Sequence, residues 1–327
     1  MASSKKVNPS SKANTDTGFG VQANQIGGRF VNKDGSFNIR KKGLPFWKTI
    51  SVYSFLQQLS WSALLAVILL FYIIINVFFT LLYLLVGKEQ LQGVSSATTW
   101  KTIKEIFFFS TQTFTTVGYG RINPLMDGAD LIASIEALFG WMAFALVTGL
   151  LYGRFTQPKA YLAFSHNALI SPYKDGIALM FRIVPYKMHH HLTDARITVN
   201  IAYLDREEDK PEYKFYQLNL ERARIDAFTM NWTVVHPIDG ESPLLNYTAI
   251  DLQKADVELY VQVTGFDHIF SNTVMQRTSY TFKEIVWGAK FQPMYREATA
   301  EETTVLLLDK LNCFDEVELP TELETKN

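Results

Sequence analysis

A single cysteine, Cys313, stands among 327 residues. No intrachain disulfide can form, and every metal or redox motif that needs paired cysteines is excluded. Cys313 reads as a partly buried free thiol of a reducing compartment. Neither sign of charge is in excess: 31 Lys and Arg face 32 Asp and Glu, a formal net charge of −1. That balance offers nucleic acid no electrostatic handle. Residues 1–40 hold no apolar run of the kind a signal peptide requires. No Walker A, Rossmann or HExxH pattern occurs, so nothing marks the chain as an enzyme and no cofactor is expected. No repeat with a period of about 20–50 residues is present.

What the chain does have is apolar residues, 48% of the total, with 24 Phe and 15 Tyr. Their distribution matters more than their number. Residues 62–86, SALLAVILLFYIIINVFFTLLYLLV, contain no charge. About 25 residues at a rise of 1.5 Å reach roughly 37 Å, enough to cross a bilayer with some tilt. A second run, residues 131–153, carries one charge, Glu136. Two spans make a hairpin. Basic residues crowd the approach (Arg29, Lys33, Arg40, Lys41, Lys42, Lys48) and return at Arg154 and Lys159, whereas the connecting loop is mixed in sign. This bias predicts that both termini are cytoplasmic.

Before the first span, residues 1–45 read as a disordered basic tail. Residues 46–60 read as an amphipathic helix lying in the membrane interface. Val52, Phe55, Leu56 and Leu59 share one face, with Trp47 and Trp61 near the ends. The alternative is that these are the first turns of the span itself. After Pro158 the pattern alternates with a period of two. Ile177, Leu179, Phe181 and Ile183 share a face, as do Ile197, Val199, Ile201 and Tyr203, and Val257, Leu259, Val261 and Val263. The prediction is an all-β sandwich over residues 158–300, followed by a loosely held acidic tail, 301–327. His189 and His191 would share one face of a strand and could grip a metal or sense pH, although an exposed edge or turn is the plainer reading. His236 with Asp239 and Ser242 makes no triad.

Between the two spans lies FFFSTQTFTTVGYGRINP, residues 107–124. A dehydrated cation in hydrocarbon is prohibitively costly, so a pore must replace its water shell. Successive main-chain carbonyls can do so if they all turn toward one axis. That backbone is one L-residues resist and glycine accepts. Gly118 and Gly120 alternate with Val117 and Tyr119 as this requires. The carbonyls of Thr116, Val117, Gly118 and Tyr119, with the Thr116 hydroxyl, would then form stacked rings. A short helix ahead of them would aim its negative C-terminal end at the cation.

With this filter, and with TGLLYGRFTQP (148–158), WTVVHPID (232–239) and RTSYTFKEIVWGAKF (277–291), the chain resembles the prokaryotic inward-rectifier potassium channels of the KirBac type. The resemblance covers about residues 45–295. It implies a membrane α-helical two-span pore hairpin with a re-entrant pore helix, joined to a cytoplasmic all-β Ig-like sandwich, in a homotetramer. The pore domain would span 61–157: outer helix 61–86, pore helix 102–115, filter 116–120 and inner helix 130–156. The resemblance also assigns roles. K+ permeates at the filter carbonyls. Gln112 stands where the family has a bracing carboxylate, so Glu136 becomes the nearest alternative brace, with Arg121 as its possible partner. Gly140 and Gly149 are either hinges or packing positions. Tyr152 closes the cytoplasmic mouth. Phe144, near Thr148, replaces the cavity carboxylate or amide of strong rectifiers, which implies weak block by Mg2+ or polyamines. Arg154, Lys159 and Lys48 face phospholipid headgroups. Residues 269–276 line a cytoplasmic constriction, with Met275 as a lining residue. The linker 156–171 couples the sandwich to the inner helices. The location implied is a bacterial inner membrane. Two other readings remain open from the residues: a tethered sensor with a silent pore, and a non-selective cation channel.

Overall fold

A computed structural model describes residues 7–14, 29–39, 42–43, 45, 51–95, 98–205, 212–296 and 304–320. The chain divides into two compact units: Lys42–Gln157, which is helical, and Met1–Lys41 with Pro158–Asn327, which is β-rich.

In the helical unit a short helix, Val52–Gln58, begins where the Ser51 hydroxyl accepts the Ser54 N–H. It ends at Leu59, which has extended backbone (φ −60°, ψ 154°). Ser60 then caps the first long helix, Trp61–Val86, by accepting the Ala63 N–H. Two serine caps thus separate the amphipathic stretch from the span, and Leu59 falls outside the helix expected over 46–60. Trp47 and Lys48 lie outside the described residues. A second short helix, Thr99–Phe114, is capped by Thr98 through the Lys101 N–H. It starts three residues before the expected 102 because that cap, and not the apolar run, sets its origin. The second long helix, Asp127–Phe155, likewise starts before 130. Asp127 and Asp130 favour the positive end of its dipole, and Arg154 the negative end. Both long helices are long and apolar enough to cross a membrane. Strands β1 (Leu91–Gln92) and β2 (Asn123–Pro124) pair antiparallel across the neck of the loop between them.

The β-rich unit continues with β3 (Leu162–Phe164), β4 (Ala168–Tyr173), β5 (Gly176–Pro185), β6 (Leu192–Asp205) and β7 (Glu212–Gln217). Next come β8 (Arg224–Phe228), β9 (Trp232–Pro237), β10 (Glu258–Asp267), β11 (Asn272–Thr281) and β12 (Ile285–Trp287). The last four strands are β13 (Ala289–Phe291), β14 (Tyr295–Arg296), β15 (Val305–Leu306) and β16 (Phe314–Glu316). One sheet runs β11-β10-β6-β7, with β8 on β6; the other runs β12-β4-β5-β3, with β9 on β5. One core lies between them. It takes Leu179, Phe181 and Ile183 from one sheet and Ile197, Val199, Ile201, Leu259, Val261 and Val263 from the other. These are the alternating residues read from the sequence. β3 and the first four residues of β4 fall within the stretch expected as a linker over 156–171.

Both expected tails are corrected. Phe30 and Val31 bury with Tyr213, Phe215 and Tyr260, so the described residues up to 39 are part of the β-rich unit. Their main chain is held by β11: Thr278 Oγ1 donates to Lys33 O (3.0 Å) and Ser279 Oγ to Val31 O (2.5 Å). Lys33 lies 3.8 Å from the Tyr280 ring and 3.6 Å from Glu284. Burial lowers its ammonium to about 8, against the opposing pull of Glu284. The segment is polar in composition, and two apolar residues suffice to anchor it. At the other end, β16 pairs with β13, β15 pairs with β14, and Leu311 buries with Val184 and Met294.

The histidines are also corrected. Residues 187–189 form a turn, so His189 and His191 share no strand face. The member of the cluster with firm partners is His190. Its Nδ1 lies 2.8 Å from Asp267 Oδ2, and its ring packs against both Tyr161 and Phe270. His236 is buried: Nδ1–H donates to Asn219 O (2.6 Å), and Nε2 accepts from Ser242 Oγ (2.8 Å). Burial lowers its pKa below the usual 6.5. The unfolded chain therefore binds more protons between the lowered value and 6.5, and stability is lost as pH falls through that window. Thermal unfolding at pH 7.5 and 5.5 should show a lower midpoint at 5.5. The difference should shrink in His236→Asn; an equal difference in both proteins would refute the assignment.

Candidate ion pathway

The segment after the second short helix has an alternating backbone. Thr116 (φ 58°), Gly118 (φ 53°) and Gly120 (φ 77°) are left-handed, whereas Val117 and Tyr119 between them are not. Such alternation turns successive carbonyls toward one side. The amides are used elsewhere: Thr116 N–H donates to Thr113 O (3.0 Å), and Val117 and Gly118 N–H donate to Gln112 O (2.9 and 3.3 Å). Among the described residues, no hydrogen bond reaches the carbonyls of Thr116, Val117, Gly118 or Tyr119. Four consecutive acceptors are thus left free in an exposed strip of main chain, where an electropositive guest would satisfy them. Thr116 in the left-handed region is strained in a way glycine would not be, and hydrogen bonds on both sides of it, its own N–H to Thr113 O and the Val117 N–H to Gln112 O, hold it there.

The support behind this strip differs from expectation. Gln112 contributes its backbone carbonyl; its side-chain amide makes no hydrogen bond among the described residues. Glu136 is fully buried. It accepts from Tyr83 Oη (2.7 Å) and Ser110 Oγ (2.5 Å), and Ser110 also lies 3.1 Å from Asn76 Oδ1. Asn76, Tyr83, Ser110 and Glu136 come from three helices, and none exposes more than a trace of surface. Ser110 lies two residues before Gln112, so Glu136 is bonded to the helix that leads into the strip. Arg121 does not pair with Glu136. It lies 3.4 Å from Glu105, whose other oxygen accepts the Ser95 N–H (2.6 Å). Beyond the strip, Asn123 Nδ2 donates to Gly120 O (3.0 Å) and pins its far end.

Sequence reasoning missed Asn76, Tyr83, Glu105 and Ser110. Asn76 carried a usable signal, an amide in the middle of an otherwise apolar span, where a polar group needs a partner.

The two glycines of the second long helix behave differently. A Cβ on Gly140 would lie 2.7 Å from the Phe114 carbonyl carbon and closer still to its oxygen. Gly140 is a packing position against the end of the short helix. A Cβ on Gly149 would meet nothing within 4 Å among the described residues. Phe144, Thr148 and Tyr152 recur every four residues, so they share a face of this helix, and all three are exposed in the single chain. Nearer its end, a Cβ on Gly153 would lie 3.2 Å from Gln57 Nε2, and Gln57 Nε2 donates to Leu150 O (3.0 Å). Arg154 donates to Leu59 O and stacks on Trp61 at 4.5 Å, so part of its bonding capacity serves the elbow between the first two helices. Lys159 is exposed. Met275 lies within β11 opposite Thr264, not in a loop, and is half exposed.

Residues 162–326 match the sequence profile of the inward rectifier potassium channel C-terminal domain, and residues 64–157 match an ion channel profile. Among curated relatives, the inward rectifier potassium channel Kirbac3.1 of Paramagnetospirillum magnetotacticum is 32% identical over 268 residues, covering 82% of this chain and 89% of the relative. The G protein-activated inward rectifier potassium channel 2 of Mus musculus is 25% identical over 289 residues, covering 81% of this chain and 67% of the relative. The counterpart from Rattus norvegicus matches to the same extent. Two membrane-length helices, a β-rich domain and the free-carbonyl strip between the helices agree with these matches. The chain belongs to the inward-rectifier potassium channel family: it is a membrane channel protein and not an enzyme.

Proposed function

We propose that four copies of this chain form one potassium-selective pore, with the strip Thr116–Gly120 as its filter. The observation that carries this reading is the alternation of left-handed residues that leaves four consecutive carbonyls without a hydrogen-bond donor. One chain supplies one side of a coordination cage, so the ring closes only in a tetramer. The helix Thr99–Phe114 dips into the membrane from one side and returns through the filter. Glu136 braces it through Ser110, and Arg121 with Glu105 ties down its outer end.

On the shared face of the inner helix, Tyr152 forms the cytoplasmic gate, and Phe144 with Thr148 lines the cavity. An aromatic at 144 offers Mg2+ or polyamines no charge, so rectification by cavity block is weak. Gly149, open on this face, is the bending point, whereas Gly140 is a packing contact. The β-rich unit is cytoplasmic, as are both termini, and its movement gates the pore. Met275 and its hairpin line a second constriction. Lys159, Lys48 and the remaining capacity of Arg154 meet anionic phospholipid headgroups, at about 1 kcal/mol for each cation near the surface. The Paramagnetospirillum relative and the basic flanks support a bacterial inner membrane as the setting.

Rubidium uptake into liposomes tests the pore directly: uptake should be driven by a K+ gradient and blocked by Ba2+, and its absence from vesicles holding tetrameric protein would refute the proposal. Tyr152→Ala should raise uptake under closed-state conditions at least several-fold, because four large side chains no longer exclude water from the mouth. Uptake equal to wild type would remove Tyr152 from the gate.

A further inference from the structure

The long helix Trp61–Val86 and the short helix Thr99–Phe114 pack on each other through one stripe, where the Tyr83 and Phe109 rings meet at 5.2 Å. Beside it runs a second stripe. Val77, Leu81 and Leu84 follow the spacing i, i+4, i+7, and Ile103 and Phe107 are four apart. Together with Trp100 they line an apolar groove of about 300 Å3. Val77, Leu81 and Trp100 remain exposed within it. Leu84 and Ile103 also line a second cavity, of about 440 Å3, and the character changes there. Its other walls include Lys88, Glu89, Thr98, Thr99 and Thr102. An oily groove thus leads into a polar one, and Lys104 stands on the wall of the first.

Lys88 and Glu89 come directly after Gly87, the residue that closes a helix long and apolar enough to cross a membrane. The polar cavity therefore lies at headgroup level, and the groove runs from it along the helix toward the hydrocarbon. The charges on the two walls are Lys88 and Lys104 against Glu89, an excess of one cation. The first turn of Thr99–Phe114 carries no acidic side chain, so that end of the helix adds no charge against an anion. We propose that the two cavities form one binding site for an anionic glycerophospholipid, with an acyl chain in the groove and the phosphodiester beside Lys88. A second copy of this chain seated here would have to bring an anion and an apolar filling side by side, whereas a phospholipid carries both in one molecule. Arg154, with its partners Leu59 and Trp61, lies at the opposite end of the long helices, so this site draws on the other leaflet. The site depends on the membrane setting of the two helices and on no particular scheme of gating.

Trp100 lines the groove and supplies the readout. Purified full-length protein is placed in phosphatidylcholine vesicles, and a rising fraction of the lipid is replaced by a brominated lipid, which quenches a tryptophan it touches. The Trp100 signal is the difference between wild type and Trp100→Phe. Brominated phosphatidylglycerol should reach half-maximal quenching at a fraction about fivefold lower than brominated phosphatidylcholine, the advantage expected of one net cation at the surface. In Lys88→Gln/Lys104→Gln the two lipids should quench alike. The wild-type comparison decides the matter by itself should the double variant fail to insert. Three results would each overturn the proposal. One is equal quenching by the two lipids in wild type. Another is an advantage for phosphatidylglycerol that survives in the inserted double variant. The third is a Trp100 that neither lipid quenches, which would show that a second copy of the chain covers the groove.

Discussion

Gly140→Ala should abolish ion flux and weaken the channel assembly, whereas Gly149→Ala should leave the assembly intact. The contrast follows from where each added methyl group goes. At Gly140 it would sit inside the van der Waals surface of the Phe114 carbonyl, which is backbone and cannot rotate away. Phe114 is the last residue of its helix, and Thr116 begins the filter strip two residues later. The displacement is therefore delivered to the segment whose carbonyl positions matter most. Overpacking of this kind costs about 1–3 kcal/mol per site, and a tetramer would carry it four times. We expect rubidium uptake to fall at least tenfold, with partial dissociation to monomer on size-exclusion chromatography. Gly149 has no such neighbour among the described residues, so its substitution should change gating while tetramer stability stays at the wild-type level. Equal effects of the two substitutions on assembly would show that Gly140 is not a packing position.

The second large effect lies in the filter. Gly118 has a φ of 53°, and an added Cβ would meet nothing within 4 Å among the described residues. The penalty for Gly118→Ala is thus conformational, about 1–2 kcal/mol for an L-residue held in the left-handed region. Alanine relieves it by rotating the peptide plane, which takes a carbonyl out of the ring. Folding and tetramer formation should survive, while the preference for K+ over Na+ falls at least tenfold. Reconstituted protein measured in both ions distinguishes this outcome from simple misfolding. A Gly118→Ala channel with wild-type selectivity would separate selectivity from the alternating backbone.

Some of this architecture is legible in the residues because it is local. An uncharged run of 25 residues needs no tertiary information to be read as a span. The alternation of Val, Leu and Ile after Pro158 fixes which side of each strand meets the core, and those residues are the ones buried between the sheets. The strip 116–120, proposed as the filter, is legible because its glycines answer a backbone requirement. The proposed brace is not, because Glu136 finds Ser110 at a distance of 26 residues and Tyr83 at 53, and no spacing rule connects them. The sequence pairs Arg121 with Glu136, yet the turn of the chain brings it to Glu105 instead. The tails differ from expectation for a related reason. Composition averages over a segment, whereas Phe30, Val31 and Leu311 anchor theirs through one or two buried side chains. The histidine run had the spacing of a strand, but its backbone forms a turn, and Asp267 captured the middle residue.

The central claim is that the free carbonyls of residues 116–119 stand in for the hydration shell of K+. The most direct measurement is the reversal potential of purified protein in planar bilayers, with K+ on one side and Na+ on the other. A potential close to the K+ limit, reporting a K+ permeability many times that of Na+, is expected. A reversal potential near zero would contradict it.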